Sequence, residues 1–335
     1  MKDFKTILKE IDQRKFQPIY FLLGEKETFF VDLIAEKIEN TVLSEDEKAF
    51  NQSILYGKDV TIEDVVGEAK RFPMMAEYQV VIVREAQSLL KDFDKLLAYV
   101  EQPQRSTVLV FCVKYKKPDG RKTIFQKLKK NAEYFETKPI YDNKVPQWIA
   151  ETLHTSGYTI APKASEMLVE FLGNNLSHIY KELEKLQQIL KKGAQITPEI
   201  IEENIGISKD FNNFELTKAV GILDEVKVHR IMYYFSQNPK NHPIILTIAQ
   251  LYSFFNKVLR YHALKDKSQY PAAKALGVNP FFVKDYAFAS KNYPMKKASR
   301  ALSLIREADM KSKGVNANQL AAGDILKELL VKVMR

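Results

Sequence analysis

The stretch Ala69-Lys-Arg-Phe-Pro-Met-Met-Ala-Glu-Tyr-Gln-Val-Val-Ile-Val-Arg-Glu-Ala86 joins a helix-patterned segment to a run of consecutive apolar residues at Gln79–Val83. Apolar residues that follow one another, rather than alternate, mark a strand buried on both faces, as in parallel sheets covered by helices on each side. Phe72, Pro73, Met74 and Met75 stand between the two elements. Pro73 interrupts the helix pattern before the methionines are reached, so they fall outside its repeating apolar face. Two readings are open. Met74 and Met75 can tuck under the sheet, as most apolar side chains do. Alternatively, they form a soft, adaptable knob offered to another protein, a use that suits unbranched, polarizable methionine.

Upstream of this stretch, Phe4, Ile7, Leu8 and Ile11 repeat at helical spacing and predict an amphipathic opening helix that Pro18 closes. Ile19–Leu23 reads as a buried strand. Gly24 and Glu25 turn it into a helix from about Glu27 to Val42, with Phe30, Leu33, Ile34 and Ile38 on the inner face. Phe50–Tyr56 is a second strand, and Thr61 opens a helix with Glu63 and Asp64 in its first turn, where carboxylates favour the helix dipole. Downstream come a helix around Asp92–Glu101, the strand Thr107–Val113, a basic turn and helix through Lys130, and a short strand at Glu133–Thr137. Strands alternating with helices predict an α/β domain with a parallel sheet.

Past Pro139 the pattern becomes helical. Val145–Leu153, Pro162–Leu172, Leu176–Leu190 and Pro198–Ile205 read as four short helices, and from Phe211 the elements lengthen: Asn213–Leu223, Glu225–Phe235, Pro243–Leu264, Phe281–Ala289, Lys296–Met310 and Gln319–Met334. The expected domains are therefore 1–139, 140–209 and 210–335, which suits a chain of 335 residues, too long for one core. With 45% hydrophobic residues it can bury those cores. The charged stretch MKDFKTILKEIDQRKF lacks the apolar segment of a signal peptide, and no apolar run approaches the length of a membrane span. A cytoplasmic protein without a membrane partner is expected. The single cysteine, Cys112, lies inside the apolar run Val108–Val113 and excludes an intrachain disulfide or a cysteine-rich zinc site.

A strand, a glycine turn and a helix at the head of such a sheet is where a phosphate-binding loop would sit. That loop ends in Gly-Lys-Ser/Thr, because bare amides cradle the phosphates, the lysine neutralises them and the hydroxyl ligates magnesium. Counted from Gly24, those positions are Phe29, Phe30 and Val31. The acidic pair that should follow a hydrophobic strand to organise the metal is Arg84-Glu85 after Val80–Val83. ATP hydrolysis fails at both places, and survives only if Lys26 substitutes for the missing lysine. His154, His178, His229, His242 and His262 are scattered, with no zinc-binding spacing, and no G-x-S-x-G elbow occurs. No catalytic residue, no metal site and no cofactor is expected.

The net charge of +9 favours an acidic partner without specifying one. Between Lys284 and Lys313 eight Lys or Arg face three acidic residues, with Lys291, Lys296, Lys297 and Arg300 clustered. They form either a solvated helix face or a surface that tracks phosphates. Lys114, Lys116, Lys117, Arg121 and Lys122 make a second basic loop with the same ambiguity, and neither holds a sequence-reading element, so any DNA contact would be to backbone. Tyr252, Phe254, Phe255, Leu259 and Tyr261 form an aromatic helix suited to a core or a subunit interface more than to base stacking.

Four segments in order carry a family resemblance: Pro18-Ile-Tyr-Phe-Leu-Leu-Gly-Glu25, Phe72-Pro-Met-Met-Ala-Glu-Tyr-Gln-Val-Val-Ile-Val83, Lys117-Pro-Asp-Gly-Arg-Lys-Thr-Ile-Phe-Gln-Lys-Leu-Lys-Lys130 and Gly173-Asn-Asn-Leu-Ser-His-Ile-Tyr-Lys-Glu-Leu-Glu-Lys-Leu186. With the helical ending, the chain resembles the delta subunit of the bacterial DNA polymerase III clamp loader over essentially its whole length. The resemblance implies a catalytically inactive AAA+-like domain at 1–139, a small all-α lid at 140–209 and an all-α collar and oligomerisation domain at 210–335. It implies a subunit of a DNA-directed DNA polymerase holoenzyme with no intrinsic ATPase activity, which binds and opens the sliding clamp (beta) during DNA replication. Gamma/tau and delta prime subunits would complete a heteropentamer with it, and primer-template DNA would be touched through its backbone. The family's clamp-binding pair falls on Met74 and Met75, supported by Phe72, where relatives often carry leucine and phenylalanine. Lys70 stands where a glutamine often precedes the pair. The sensor arginine of active relatives falls near Ser177. The alternative from the residues alone is a stand-alone DNA-binding or regulatory protein acting through Lys291, Lys296, Lys297 and Arg300.

Overall fold

A computed structural model describes residues 3–315 and 320–335 of the chain. The chain divides into two compact units, one ending at Ile140 and one beginning at Tyr141.

The first unit is built on five strands: β1 Ile19–Gly24, β2 Gln52–Tyr56, β3 Gln79–Arg84, β4 Thr107–Lys114 and β5 Glu133–Glu136. They lie in the order β2-β3-β4-β1-β5, every pair parallel, with Phe21 in register with Phe111 and Val81 with Leu109. This is the α/β architecture expected. The three central strands are the ones whose apolar residues run consecutively, because helices cover both of their faces and leave no wet side to select polar residues. At the edge, β2 has no fully buried position and mixes half-buried with exposed residues.

Helices α1 Phe4–Asp12 and α2 Phe29–Thr41 pack on one another, with the Phe4 and Phe30 rings 4.5 Å apart. Asp3 caps α1 by accepting from the Thr6 N–H at 2.7 Å. Helix α3 Glu45–Asn51 carries a capping box between Ser44 and Glu47, and α4 Ile62–Ala69 another between Thr61 and Asp64, the helix start that Thr61 announced. The region read as one helix around Asp92–Glu101 instead forms 3₁₀ turns at Ala86–Leu89 and Phe93–Leu96 before α5 Leu97–Glu101. Helix α6 Thr123–Asn131 completes the layer. The core beneath α4, α5 and α6 is aromatic: Phe21 meets Phe93 and Phe125 edge-on at 5.9 Å each, and Tyr134 face-on at 5.1 Å. Cys112 is buried in β4, and burial pushes its thiol pKa up to about 12, so it is a small hydrophobe rather than a nucleophile.

The second unit is helical. Helices α7 Val145–Thr155, α8 Pro162–Leu172, α9 Leu176–Ile189 and α10 Pro198–Ile205 match the four expected. They are joined by a small parallel pair, β6 Thr159–Ile160 and β7 Gln195–Ile196, too short to leave a periodic signal. Next come α11 Asn213–Gly221, α12 Glu225–Gln237, α13 Ile244–Ala263, α14 Gln269–Leu276, α15 Val283–Asn292, α16 Met295–Ser312 and α17 Ala322–Met334. The expected start of the last helix, Gln319, lies outside the described residues. Buried polar groups tie α8 to α11: the Glu170 carboxylate accepts from the Asn213 and Phe214 N–H groups at 2.6 and 3.1 Å, capping α11, and Lys163 meets Glu215 at 2.7 Å. Burial would raise the Glu215 pKa, but hydrogen bonds from Lys163 and Lys227 outweigh it and hold the carboxyl below its usual range.

Candidate functional site

The segment between α4 and β3 is a loop, so Met74 and Met75 stand beyond the helix rather than at its end. Its two ends are fixed by side chains that reach the last carbonyls of α4. Tyr99 Oη donates to Ala69 O at 3.3 Å, and Gln79 Nε2 donates to Glu68 O at 3.1 Å. Tyr78 packs edge-on against Phe16 with ring centroids 5.3 Å apart. Between these anchors the apolar residues turn outward. Phe72 is 81% exposed, Met74 53% and Met75 98%. The tucked-under reading of the methionines therefore fails, and Phe72 points to water beside them.

The middle of the loop is held by Asn51, the last residue of α3, which is only 2% exposed. Asn51 Oδ1 accepts from the Met74 N–H at 2.6 Å, and its Nδ2 donates to Met74 O at 2.9 Å and to Glu47 O at 3.1 Å. Met75 follows with φ +55°, a left-handed conformation that costs an L-residue roughly 1–2 kcal/mol. Nothing in the sequence signalled Asn51: its partner lies 23 residues away, and an asparagine before a strand has many local uses.

At the opposite end of the sheet, the loop after β1 is occupied by the chain itself. Glu27 Oε1 accepts from the Phe29 N–H at 2.9 Å, placing a carboxylate at the N-terminus of α2, where a phosphate would bind. Phe29, Phe30 and Val31 are buried, whereas Lys26 is exposed. Arg84 pairs with Glu39 at 2.7 Å, and Lys114, at the end of β4, with Asp32 at 2.6 Å. Most of the basic loop is similarly spoken for: Lys117 pairs with Glu136, Arg121 with Asp119 and Lys122 with Asp94, all within 3 Å, while Lys116 is exposed.

In the helical unit, Lys291, Lys296, Lys297 and Arg300 are all exposed. Lys291 Nζ lies 5.7 Å over the Phe288 ring, and among the described residues Lys296, Lys297 and Arg300 have no acidic partner. The aromatic helix divides: Phe254, Phe255 and Tyr261 are buried, Leu259 packs against their core, and Tyr252 is exposed. Ser177 is the second residue of α9. His229 and His262 are engaged with backbone carbonyls at 2.8 Å and His242 stacks on Phe235. Among the described residues no three metal-ligating side chains gather, and no helix is long and apolar enough to cross a membrane.

Comparison with known proteins gives one consistent result. Residues 20–138 match the family described as DNA polymerase III, delta subunit. DNA polymerase III subunit delta of Bacillus subtilis (strain 168) is 27% identical over 289 residues, covering 83% of this chain and 82% of the relative. Among solved structures, the Bacillus subtilis DNA clamp loader delta protein superposes with a TM-score of 0.55 at 21% identity, covering 99% of both chains.

Proposed function

We propose that the chain, which is similar over residues 20–138 to the DNA polymerase III delta-subunit family and over 83% of its length to a Bacillus subtilis delta subunit, is a non-catalytic clamp-loader subunit that binds the ring-shaped sliding clamp through Met74 and Met75 and opens it. The observation that carries this reading is the exposure of two adjacent methionines on a loop whose ends and middle are fixed. Soluble proteins rarely spend order on presenting apolar side chains to water unless a partner covers them. Two thioether side chains entering a pocket bury enough apolar surface to act as a small hot spot. Phe72 stands on the rim of that contact.

The mechanism is leverage. Binding that favours an open or strained ring shifts the population of rings by the difference in affinity for the two forms, and by no more. ATP held by neighbouring gamma/tau and delta prime subunits would time exposure of this surface, since Phe29, Phe30 and Val31 leave this chain without the groups that grip a nucleotide. We divide it into the AAA+-like domain 1–139, the lid 140–209 and the collar 210–335. Val226, Tyr233, Ile245, Leu246 and Tyr252 are apolar side chains that the collar leaves exposed and that subunit contacts would cover. Such a protein works in the cytoplasm, on primer-template DNA.

The test is calorimetry of the full chain with the sliding clamp of the same organism, beside Met74→Ser/Met75→Ser. Micromolar or tighter binding is expected, weakened about a hundredfold or more in the double variant, which removes ~3 kcal/mol or more of apolar burial without touching the core.

A second reading is favoured by one observation, the unpaired Lys296, Lys297 and Arg300: a stand-alone DNA-binding protein whose affinity lies in the helical unit. It predicts backbone-type binding that falls steeply with salt and is lost on reversing those three charges. Absence of clamp binding by the unmodified chain at low salt, with DNA binding intact, would establish it instead.

A further inference from the structure

We propose that Asn51 is the positioning residue of the clamp-binding loop: its buried carboxamide locks the backbone of Met74 and thereby presents the Met74–Met75 pair in the conformation that docks. The proposal rests on the reading of that pair as the clamp contact.

Three features of the loop converge on this residue. The first is the completeness of the carboxamide's bonding. Both Nδ2 protons are used, on Met74 O and Glu47 O, and Oδ1 takes the Met74 N–H. A flipped amide would set Oδ1 against two carbonyls and its N–H groups against another N–H, so the network admits a single orientation. Asn51 thus grips Met74 as a neighbouring strand would, through both its donor and its acceptor, although residue 74 belongs to no strand.

The second feature is the construction behind it. Helix α3 is short and ends where β2 begins, so Asn51 stands on a helix fixed at its far end by Ser44 and Glu47 and continued directly into the sheet. Gln52, the next residue, donates to Glu39 O at 2.9 Å. The grip on Met74 therefore comes from framework, not from another loop.

The third is the backbone of Met75. A non-glycine residue in the left-handed region persists only where its surroundings over-determine it. Met75 is 98% exposed, so its own side chain supplies no such constraint. The paired hydrogen bonds on the residue before it do. The consequence is functional: methionine has three rotatable side-chain bonds, and ordering them on docking already costs affinity. If the loop backbone had to be ordered as well, the affinity would fall by the fraction of molecules holding the docking conformation. Fixing the backbone before the partner arrives removes that second cost.

The experiment uses the full chain and the sliding clamp. Clamp affinity is measured for the unmodified chain, Met74→Ser/Met75→Ser, Asn51→Ala and Asn51→Ser, and amide hydrogen exchange is read in each free protein. Asn51→Ala is expected to weaken clamp binding about tenfold, as for a loop that holds the docking form in roughly a tenth of molecules. Its Met74 amide should lose protection while the amides of β2 and β3 keep theirs. Asn51→Ser can still donate to Glu47 O four residues back on the helix but is too short to reach Met74, so it should weaken binding by a similar factor with the fold intact, and it carries the test if the alanine variant does not fold. Clamp binding that fails with the methionine variant but is unchanged in both Asn51 variants would overturn this proposal and leave the clamp reading standing. Loss of protection across β2 and β3 in both variants would also overturn it, by making Asn51 a general structural residue. No binding by the unmodified chain would overturn both.

Discussion

At the carboxyl ends of the sheet strands, the loop between β1 and α2 turns inward, with Glu27 on the helix N-terminus and Phe29, Phe30 and Val31 in the core. At the amino ends, the loop between α4 and β3 turns outward, with Met74 and Met75 in water and Asn51 behind them. Open parallel sheets bind ligands outside the carboxyl ends of their strands. Here that end is filled by the chain's own charges and rings, and the apolar display has moved to the opposite end. The requirements differ accordingly. A nucleotide site needs a lysine and a hydroxyl at fixed positions, whereas a docking knob needs only exposed apolar side chains on a fixed backbone. A sheet can lose the first and keep the second without changing its topology.

The sharpest way to break this contrast is to try to reopen the filled end. Phe30→Lys installs the cation that a phosphate-binding loop would carry, but Phe30 is buried against Phe4. The variant should lose about 4 kcal/mol or more, from a deleted core aromatic and a buried ammonium without a partner. Urea unfolding of the variant against the unmodified chain reads this. A loss below about 1 kcal/mol would mean that the position is pliable and that the end is vacant rather than filled.

Much of this was legible beforehand, and the limits have physical causes. The consecutive apolar residues of β1, β3 and β4 announced a sheet covered on both sides, and Thr61 with Asp64 announced the start of α4. Pro73 placed the methionines off the helix. Helix α3 was missed because Glu45–Asn51 has few apolar residues to show a period, so the strand was read from Phe50 instead of Gln52. Helix α14 escaped because Pro271 interrupts its pattern. Spacing narrowed the methionines to two readings, and their exposure rules out the tucked one. Its fixation could not be read at all, since a hydrogen bond between residues 51 and 74 is a product of the fold, and the left-handed turn at Met75 leaves no mark on a residue type that rarely adopts one.

That turn supplies the next test, on the outward loop. Met75→Val keeps an apolar side chain but branches it at Cβ, which the left-handed backbone accommodates worst, at about 1–2 kcal/mol. Met75→Gly relieves the strain by about 1 kcal/mol and removes the side chain. If presentation depends on backbone geometry, Met75→Val should bind the clamp less well than Met75→Leu, although valine and leucine are both apolar. Equal binding by the two would show that the side chain alone matters and that the loop is freer than the hydrogen bonds of Met74 imply.

The smallest expected effect is the most informative about the filled end. Glu27→Ala removes the carboxylate from the N-terminus of α2 and frees the Phe29 N–H, at a cost of about 0.5–1 kcal/mol typical of a lost helix cap. The bared amides and the helix dipole then form an anion site in geometry alone. Labelled ATP should still not bind to this variant at millimolar concentration, because Lys26 is exposed in the loop and the positions that would supply the lysine and the hydroxyl point Phe30 and Val31 into the core. Saturable binding would identify Glu27 as a lock on a competent site with Lys26 as its cation. The two ends of the sheet would then differ in occupancy, not in kind, and the non-catalytic reading would have to yield to a self-inhibited one.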